Sequence, residues 1–484
     1  MKVTVARAPW HALRTDLLAV PVREDAGLEP LAELDRALSG WVRQAAELNG
    51  FAGKRDRTLL LFTHGKLPTP RVLLVGTGKA ADVPDALRRA AALAAREAQA
   101  VRVRRVSLWA PGFPATDTSA EALVEGALLG AYRYTRYKQP EDSPLEAVEV
   151  VGPASLSAVR RAQRLAQATC FARDLVNGPP NEVTPPALAQ VAREVARKAG
   201  LEIRVFGPRQ LERMGARAIL AVGAGSRQPP QMVVLDYRPA RARRTVVLAG
   251  KGVTFDAGGL DIKTHEGMET MKADMAGAAA VLAVLQALPE LGVRHRVVGV
   301  VGAVENLLGD AAFKPGDIIR TLEGKTVEIT NTDAEGRVVL ADCLAYAQRY
   351  RPDAVVDIAT LTGAAVVALG YHAAAVLGND RALVDALLRA GDRAGERIWE
   401  LPLYEEFLEA MRSDVADLKN SGGRYGGAQK GAAFLSRFVG GRPWAHLDIA
   451  GVAFLDKQEG QAPHLPKGAT GFGVRTLLRW LVEA

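Results

Sequence analysis

Chemistry is densest in the run Asn331-Thr332-Asp333-Ala334-Glu335-Gly336-Arg337. Two carboxylates and a guanidinium fall within five positions, between an apolar, strand-like run and a helical one. On extended backbone, residues two apart leave the same face, so Asp333 and Glu335 would project together. Like charges held that close repel unless a cation lies between them, and a divalent metal is the usual answer. A second constellation lies upstream: Gly250-Lys251-Gly252-Val253-Thr254-Phe255-Asp256-Ala257-Gly258-Gly259, then Lys263, then Met271-Lys272-Ala273-Asp274. It directly follows the apolar run 245–249, and functional residues commonly sit at the C-terminal ends of such strands. Gly258-Gly259 permits a tight turn, and Asp274 stands where a helix should begin.

Other chemistries lack their residues. No Gly-Lys-Ser/Thr phosphate loop, G-x-S-x-G elbow or H-E-x-x-H zinc helix occurs. The seven histidines are scattered. His265 and His446 lie near the interesting segments but read as solvent-facing or packing residues. Cys343 falls in a buried-looking helix and reads as an inert thiol.

The elements that must position these groups alternate. Positions 59–62, 71–75 and 101–108 read as strands, and 82–100 and 118–132 as helices. The sequence turns polar over 140–153, the expected end of a first α/β domain, and 158–175 reads as a connecting helix. Asn177-Gly178-Pro179-Pro180-Asn181 is a breaker cluster. Thr184-Pro185 then caps a helix to about Lys198. Apolar runs at 232–236, 245–249, 296–304 and 354–358 suggest a sheet covered on both faces, with helices over 276–288 and 338–350. The expected fold is two-domain α/β. A smaller N-terminal α/β domain spans 1–155, a connecting helix 156–176, and a larger catalytic domain with a mixed central sheet 177–484. A chain of 484 residues is too long for one core.

Charge adds a weaker signal. Positions 1–175 carry 25 basic and 19 acidic residues, the rest 37 and 35, so +6 of the net +8 lies in the first 175 positions. Arg102, Arg104 and Arg105 make nucleic-acid binding an alternative use of that domain. No uncharged apolar run approaches the length of a membrane helix, and Arg7, Arg14, Asp16 and Arg23 interrupt any signal-peptide core. Two cysteines exclude a disulfide framework and suggest a cytoplasmic location.

The two constellations together resemble the cytosol (leucyl) aminopeptidase family. N-T-D-A-E-G-R at 331–337 is that family's signature, and 250–259 and 271–275 resemble its other metal-site blocks. The similarity extends through 177–185, 312–316, 357–363 and 444–451. It covers essentially the whole second domain, while the first is similar mainly in layout. The resemblance implies two adjacent divalent ions: Mn²⁺ or Zn²⁺, with Mg²⁺ also compatible with such ligands. Asp256 and Glu335 would bridge the pair, Asp333 would complete one site, and Lys251 and Asp274 the other. Lys251 can ligate only as a neutral amine, so the ions must push its pKa down.

The implied reaction is release of N-terminal amino acids, leucine-like ones above all, from peptides with a free N-terminus. A metal-bridging water would attack the scissile carbonyl. Lys263 would donate to the developing oxyanion, and Arg337 would hold a bicarbonate ion that takes the water's proton. Met271, Asn331, Thr360 and Ala450 match positions lining or bordering the first side-chain pocket. The glycine-rich stretch 421–431 would border the cleft or simply connect elements. The family also implies a homohexamer and, as a side role, DNA binding. Departures from the family pattern are Ala257, Ala276, and Asp261 and Thr264 beside Lys263; none removes a ligand. A different dimetal hydrolase such as a phosphoesterase stays open, with an amine ligand at Lys251 arguing for peptides.

Overall fold

Branched and aliphatic runs pair into two separate sheets. The structure, a computed structural model, describes residues 1–139, 145–457 and 461–483. The chain divides into two units: Met1–Gln167 with Gln458–Pro466, and Ala168–Lys457 with Lys467–Ala484. The first division falls inside helix Leu156–Asn177.

The first unit holds six strands: β1 (Lys2–Val5), β2 (Leu17–Val22), β3 (Thr58–Phe62), β4 (Arg71–Gly76), β5 (Arg105–Trp109) and β6 (Ala147–Val151). Their order is β1-β6-β5-β2-β4-β3, with only β3 antiparallel to its neighbour. Two helices pack on the sheet's core, Val83–Ala100 and Asp117–Gly130, capped by the side chains of Asp82 and Thr116. The sequence reading missed β1, β2 and β6. β2 is fully buried, but Pro21 argues against a central strand. The strand tolerates it because β5 pairs only with Leu17–Ala19, short of the proline. β6 lies within the stretch read as polar; positions 140–144 of that stretch are outside the described residues.

The second unit is built on β7 (Glu202–Phe206), β8 (Gln231–Tyr237), β9 (Thr245–Asp256), β10 (Arg296–Asn306), β11 (Ile318–Arg320), β12 (Thr326–Glu328), β13 (Ala354–Ala359), β14 (Ala374–Gly378), β15 (Ile398–Glu400), β16 (Leu418–Lys419) and β17 (Trp444–Asp448). The main sheet is mixed and eight-stranded, ordered β15-β14-β17-β13-β9-β10-β8-β7. Its central strands are parallel. A Cβ at Gly299 would meet Val281 and Leu285, whereas one at Gly302 would meet Val339 and Cys343. Residues three apart on a strand point to opposite faces. Helix Ala276–Leu291 therefore covers one face and helix Glu335–Ala347 the other, as the unbroken apolar strands require. The small sheet β11-β12-β16 stands apart.

The run His265–Leu291 passes for a membrane span by length and mean apolarity, although Glu266, Glu269, Lys272, Asp274 and Glu290 interrupt it. Most of it is buried within the fold, so its apolarity serves the core.

Candidate metal centre

The site is assembled where β9 outruns its neighbour. β13 pairs with β9 only as far as Ile358↔Gly250, while β10 follows β9 to Asn306↔Asp256. Lys251 and Asp256 thus lie on the reach of the strand beyond its pairing with β13, not in a loop after it as the sequence suggested. Asp274 comes from the 3-10 turn Met271–Met275 that opens helix Ala276–Leu291. Asp333 lies in a turn, and Glu335 is the first residue of helix Glu335–Ala347. That pair does not converge by strand alternation; a turn and a helix start do the work instead.

Single ligand atoms of Asp256, Asp333 and Glu335 come within 4.8 Å of one another. Lys251 Nζ lies 2.8 Å from Asp274 and 2.7 Å from Glu335, and donates to the Thr360 carbonyl at 3.0 Å. Lys263 Nζ lies 3.0 Å from Asp256 and also contacts Asp333. The cluster is buried: Lys251 is 3 % exposed, Asp256 2 % and Glu335 1 %. Gly336 makes this fit. A Cβ there would sit 2.4 to 2.7 Å from the Lys251 side chain.

Burial pushes the carboxyls of Asp274, Glu335 and Asp333 up, reinforced by the neighbouring Asp256 carboxylate. Burial also pushes the two lysines down, but the surrounding carboxylates win. Asp274, Glu335 and Asp256 hold the Lys251 amine well above the ordinary lysine value. Asp256, Glu335 and Asp333 do the same for Lys263. Two amines thus stand among four carboxyl groups.

The donor set fits divalent cations. It is rich in carboxylate oxygen, it carries two negative charges in excess of its lysines, and Glu335 Oε2 and Asn306 Oδ1 are buried without a partner. Such unpaired lone pairs are costly in a buried site. Among the described residues, this is the group of three acidic, thiol or imidazole ligands close enough to hold a metal.

Arg337 is buried near the start of its helix. Its Nη1 donates to the Asn420 carbonyl at 2.9 Å, while its Nε has no partner. Burial pushes its pKa down, against the pull of Glu335 and Asp448. Of the pocket residues, Thr360 donates to Asp274 Oδ1 at 2.7 Å, and Asn331 Oδ1 accepts from the Asp333 amide at 2.8 Å. Met271 starts the turn that carries Asp274. Ala450 donates its amide to Asp448, which also holds Leu361 and Thr362 beside Thr360. All four are partly exposed, as a pocket lining requires. His265 is exposed. His446 is fully buried, its Nδ1 2.5 Å from Asp357 Oδ1.

Four supporting residues escaped the sequence reading. Asn306 donates to Asp256 Oδ1 at 2.8 Å. Asp261 accepts from the Thr332 amide at 2.7 Å, and Thr332 Oγ1 donates to the Gly258 carbonyl at 2.7 Å. Asn420 is fully buried: its amide donates to the Asn331 carbonyl at 2.6 Å and accepts from the Thr330 amide at 2.8 Å. It thereby clamps the 330–334 turn while its own carbonyl holds Arg337. Asn306 carried a usable signal, a polar residue ending an apolar strand. Asn420, in front of Ser-Gly-Gly, looked like an ordinary turn residue.

Comparison with known proteins agrees with this geometry. Residues 170–478 match the catalytic domain of the cytosol aminopeptidase family, and 19–141 match its N-terminal domain. A probable cytosol aminopeptidase of Geobacter sp. (strain M21) is 47 % identical over 480 residues, covering 96 % of each chain. One from Roseiflexus castenholzii is 45 % identical, covering 99 % of each. Among solved structures, the bottromycin maturation enzyme BotP in complex with Mn aligns with a TM-score of 0.87 at 40 % identity, covering 97 % of this chain and 99 % of that one. A tomato leucine aminopeptidase mutant aligns with a TM-score of 0.92 at 32 % identity, covering 100 % and 97 %. With its carboxylate cluster and both domains matched, this chain belongs to the cytosol aminopeptidase family, and it is a metallo-aminopeptidase, a hydrolase that acts on peptides.

Proposed function

We propose that this enzyme releases leucine-like residues from free peptide N-termini at two divalent ions. Asp256 and Glu335 would bridge the ions, Asp333 would serve one, and Lys251 and Asp274 the other. The observation that carries this reading is the convergence of four carboxylates on two lysines, with Glu335 Oε2 left unpartnered. Bound ions supply Lewis acidity and a more acidic water, and a bicarbonate at Arg337 supplies a proton acceptor. Mn²⁺ is the first choice, because the donors are mostly oxygen and BotP is described with Mn; Zn²⁺ and Mg²⁺ are the alternatives.

The chain's own groups divide the remaining work. Lys263, which contacts Asp256 and Asp333, would donate to the oxyanion as it forms. Arg337 offers its unpaired Nε to an anion near free N–H groups of a helix start. Lys251 must shed its proton to ligate, so metal uptake and deprotonation are coupled. Met271 and Ala450 give the side-chain pocket apolar walls, which suits leucine over charged residues.

All these residues come from the second unit, so we assign assembly or regulation to the first. Light scattering would check the expected hexamer. DNA binding ranks second to peptide hydrolysis. Arg104 and Arg105 are each opposed by a carboxylate, Glu146 at 3.5 Å and Asp16 at 3.4 Å, and a salt titration on duplex DNA would test it. The decisive experiment strips the enzyme with chelator, reloads it with each metal and assays aminoacyl anilides. Leucyl anilide should be cleaved best, with Mn²⁺. No anilide hydrolysis with any metal, alongside cleavage of phosphate esters, would overturn the reading.

A further inference from the structure

We propose that Lys419 binds a carboxylate on the departing part of the peptide, so that the enzyme favours acidic leaving fragments. This rests on the aminopeptidase reading of the metal centre.

A cavity of about 540 Å³ opens beside the signature turn, lined by Asp261, Thr330, Asn331 and Lys419 with residues 421–423. Its inner wall touches the metal centre: Asn331 holds the Asp333 amide, and Asp261 holds Thr332. A peptide whose α-amine sits at the carboxylate cluster must send the rest of its chain out past that turn, and this cavity is the space adjoining it.

Lys419 is half-buried between Leu418 and Asn420, both buried. Among the described residues, its ammonium has no hydrogen-bond or ion-pair partner. The acid nearest in register forms no ion pair with it. Glu328 is its register partner across β12 and β16, but Glu328 Oε2 accepts from Ser413 Oγ at 2.5 Å. Arg424 follows on the same glycine-rich loop, exposed and also without a carboxylate partner. The one acid in the cavity, Asp261, already has an oxygen engaged by the Thr332 amide and hydroxyl. The cavity thus presents Lys419 as a cation without a bonded counter-ion, with the Asp261 carboxylate held toward Thr332. A partly desolvated lysine gains most from a carboxylate, through a charge-assisted hydrogen bond.

That carboxylate can be the C-terminus of a short peptide or an acidic side chain, and four peptides separate the two. Metal-loaded enzyme is assayed on Leu-Gly-Gly as free acid and as C-terminal amide, and on amide-capped Leu-Glu-Gly and Leu-Gln-Gly. Wild type should prefer the acid member of at least one pair by about five-fold in kcat/KM, mostly through KM, as expected for one charged contact of about 1 kcal/mol. The pair that shows the preference identifies the source. In Lys419→Met that preference should collapse to about one, and Lys419→Arg should restore most of it, which a purely structural role would not do. Ratios near one in wild type for both pairs, or a ratio unchanged in Lys419→Met, overturn the proposal. Failure of wild type to cleave any of the four would instead overturn the aminopeptidase reading.

Discussion

Two buried clusters of charge lie in the same sheet, and they are built on opposite plans. Asp357, at the centre of β13, has each oxygen matched: Oδ1 lies 2.5 Å from His446 Nδ1, and Oδ2 accepts from Trp444 Nε1 at 2.6 Å. Burial pushes His446 down, but Asp357 more than offsets it and holds the imidazole's pKa above its ordinary value. At the end of β9, four carboxylates face two lysines, and an oxygen of Glu335 has no partner. The Asp357 carboxylate is saturated, though His446 Nε2 has no partner, whereas the other cluster sets four carboxyl groups against two amines. Saturation is how a fold tolerates a buried ion. A deliberate shortfall is how it keeps a place for something else.

The largest effect should come from Glu335→Ala, which should lose all measurable peptidase activity. Its metal-free melting temperature should hold or rise, because one carboxyl group of an acid-rich buried cluster has gone while Lys251 keeps Asp274. Near-normal turnover would refute the bridging role. Lys263→Met should cost about 10²- to 10³-fold in kcat with a smaller change in KM, measured on leucyl anilide. The mirror experiment is Asp357→Ala. It strands His446 and Trp444 and should destabilise the protein by about 3–5 kcal/mol in denaturant titrations; an unchanged midpoint would erase the contrast between the clusters. Asn420→Ala should weaken metal affinity or activity about 10- to 100-fold, as loss of a group that orients a ligand does. Metal-binding isotherms would show it.

The smallest effect is a pH slope. Burial pushes Asp342 up to about 7, against pull-down by the Leu322 and Ile219 amides. Asp274, Glu335 and Asp333 are shifted the same way. A carboxyl with a raised folded pKa binds its proton more tightly when folded. Its contribution is full while protonated and is lost as pH rises from the ordinary carboxylate range through about 7. Metal-stripped enzyme should therefore melt a few degrees lower at pH 8 than at pH 5. Asp342→Asn should flatten part of that slope, and excess Mn²⁺ should remove the part due to the site. A metal-free melting point that rises over this range would contradict the direction of these shifts.

Much of the site was legible because its chemistry is compressed. Asp333, Glu335 and Arg337 share one short run, and Lys251, Asp256, Lys263 and Asp274 share another. What was illegible is what comes from far away. Asn420 reaches the 330–334 turn across about 90 residues of chain, and nothing local marks it out from other turn asparagines. The fold shows the same divide. Helices with caps and periodicity, such as Pro185–Ala199 behind Thr184, were readable. β2 was hidden by Pro21, whose missing donor matters only once the reach of β5 is known. The extension of β9 to Asp256 was hidden by its glycines, which its neighbours require: a Cβ at Gly250 would sit 2.8 Å from Ala278 of the covering helix, and one at Gly252 2.6 Å from the Gly302 carbonyl of β10.

The ammonium groups of Lys251 and Lys263 carry a consequence for the enzyme's life history. If they serve as provisional counter-ions, the newly made chain should reach its final shape before any ion arrives, and circular dichroism of metal-stripped enzyme would check it. Chelation should switch the protein off without melting it, and resupply should switch it on again without refolding. The amount of working enzyme would then follow ion supply rather than synthesis.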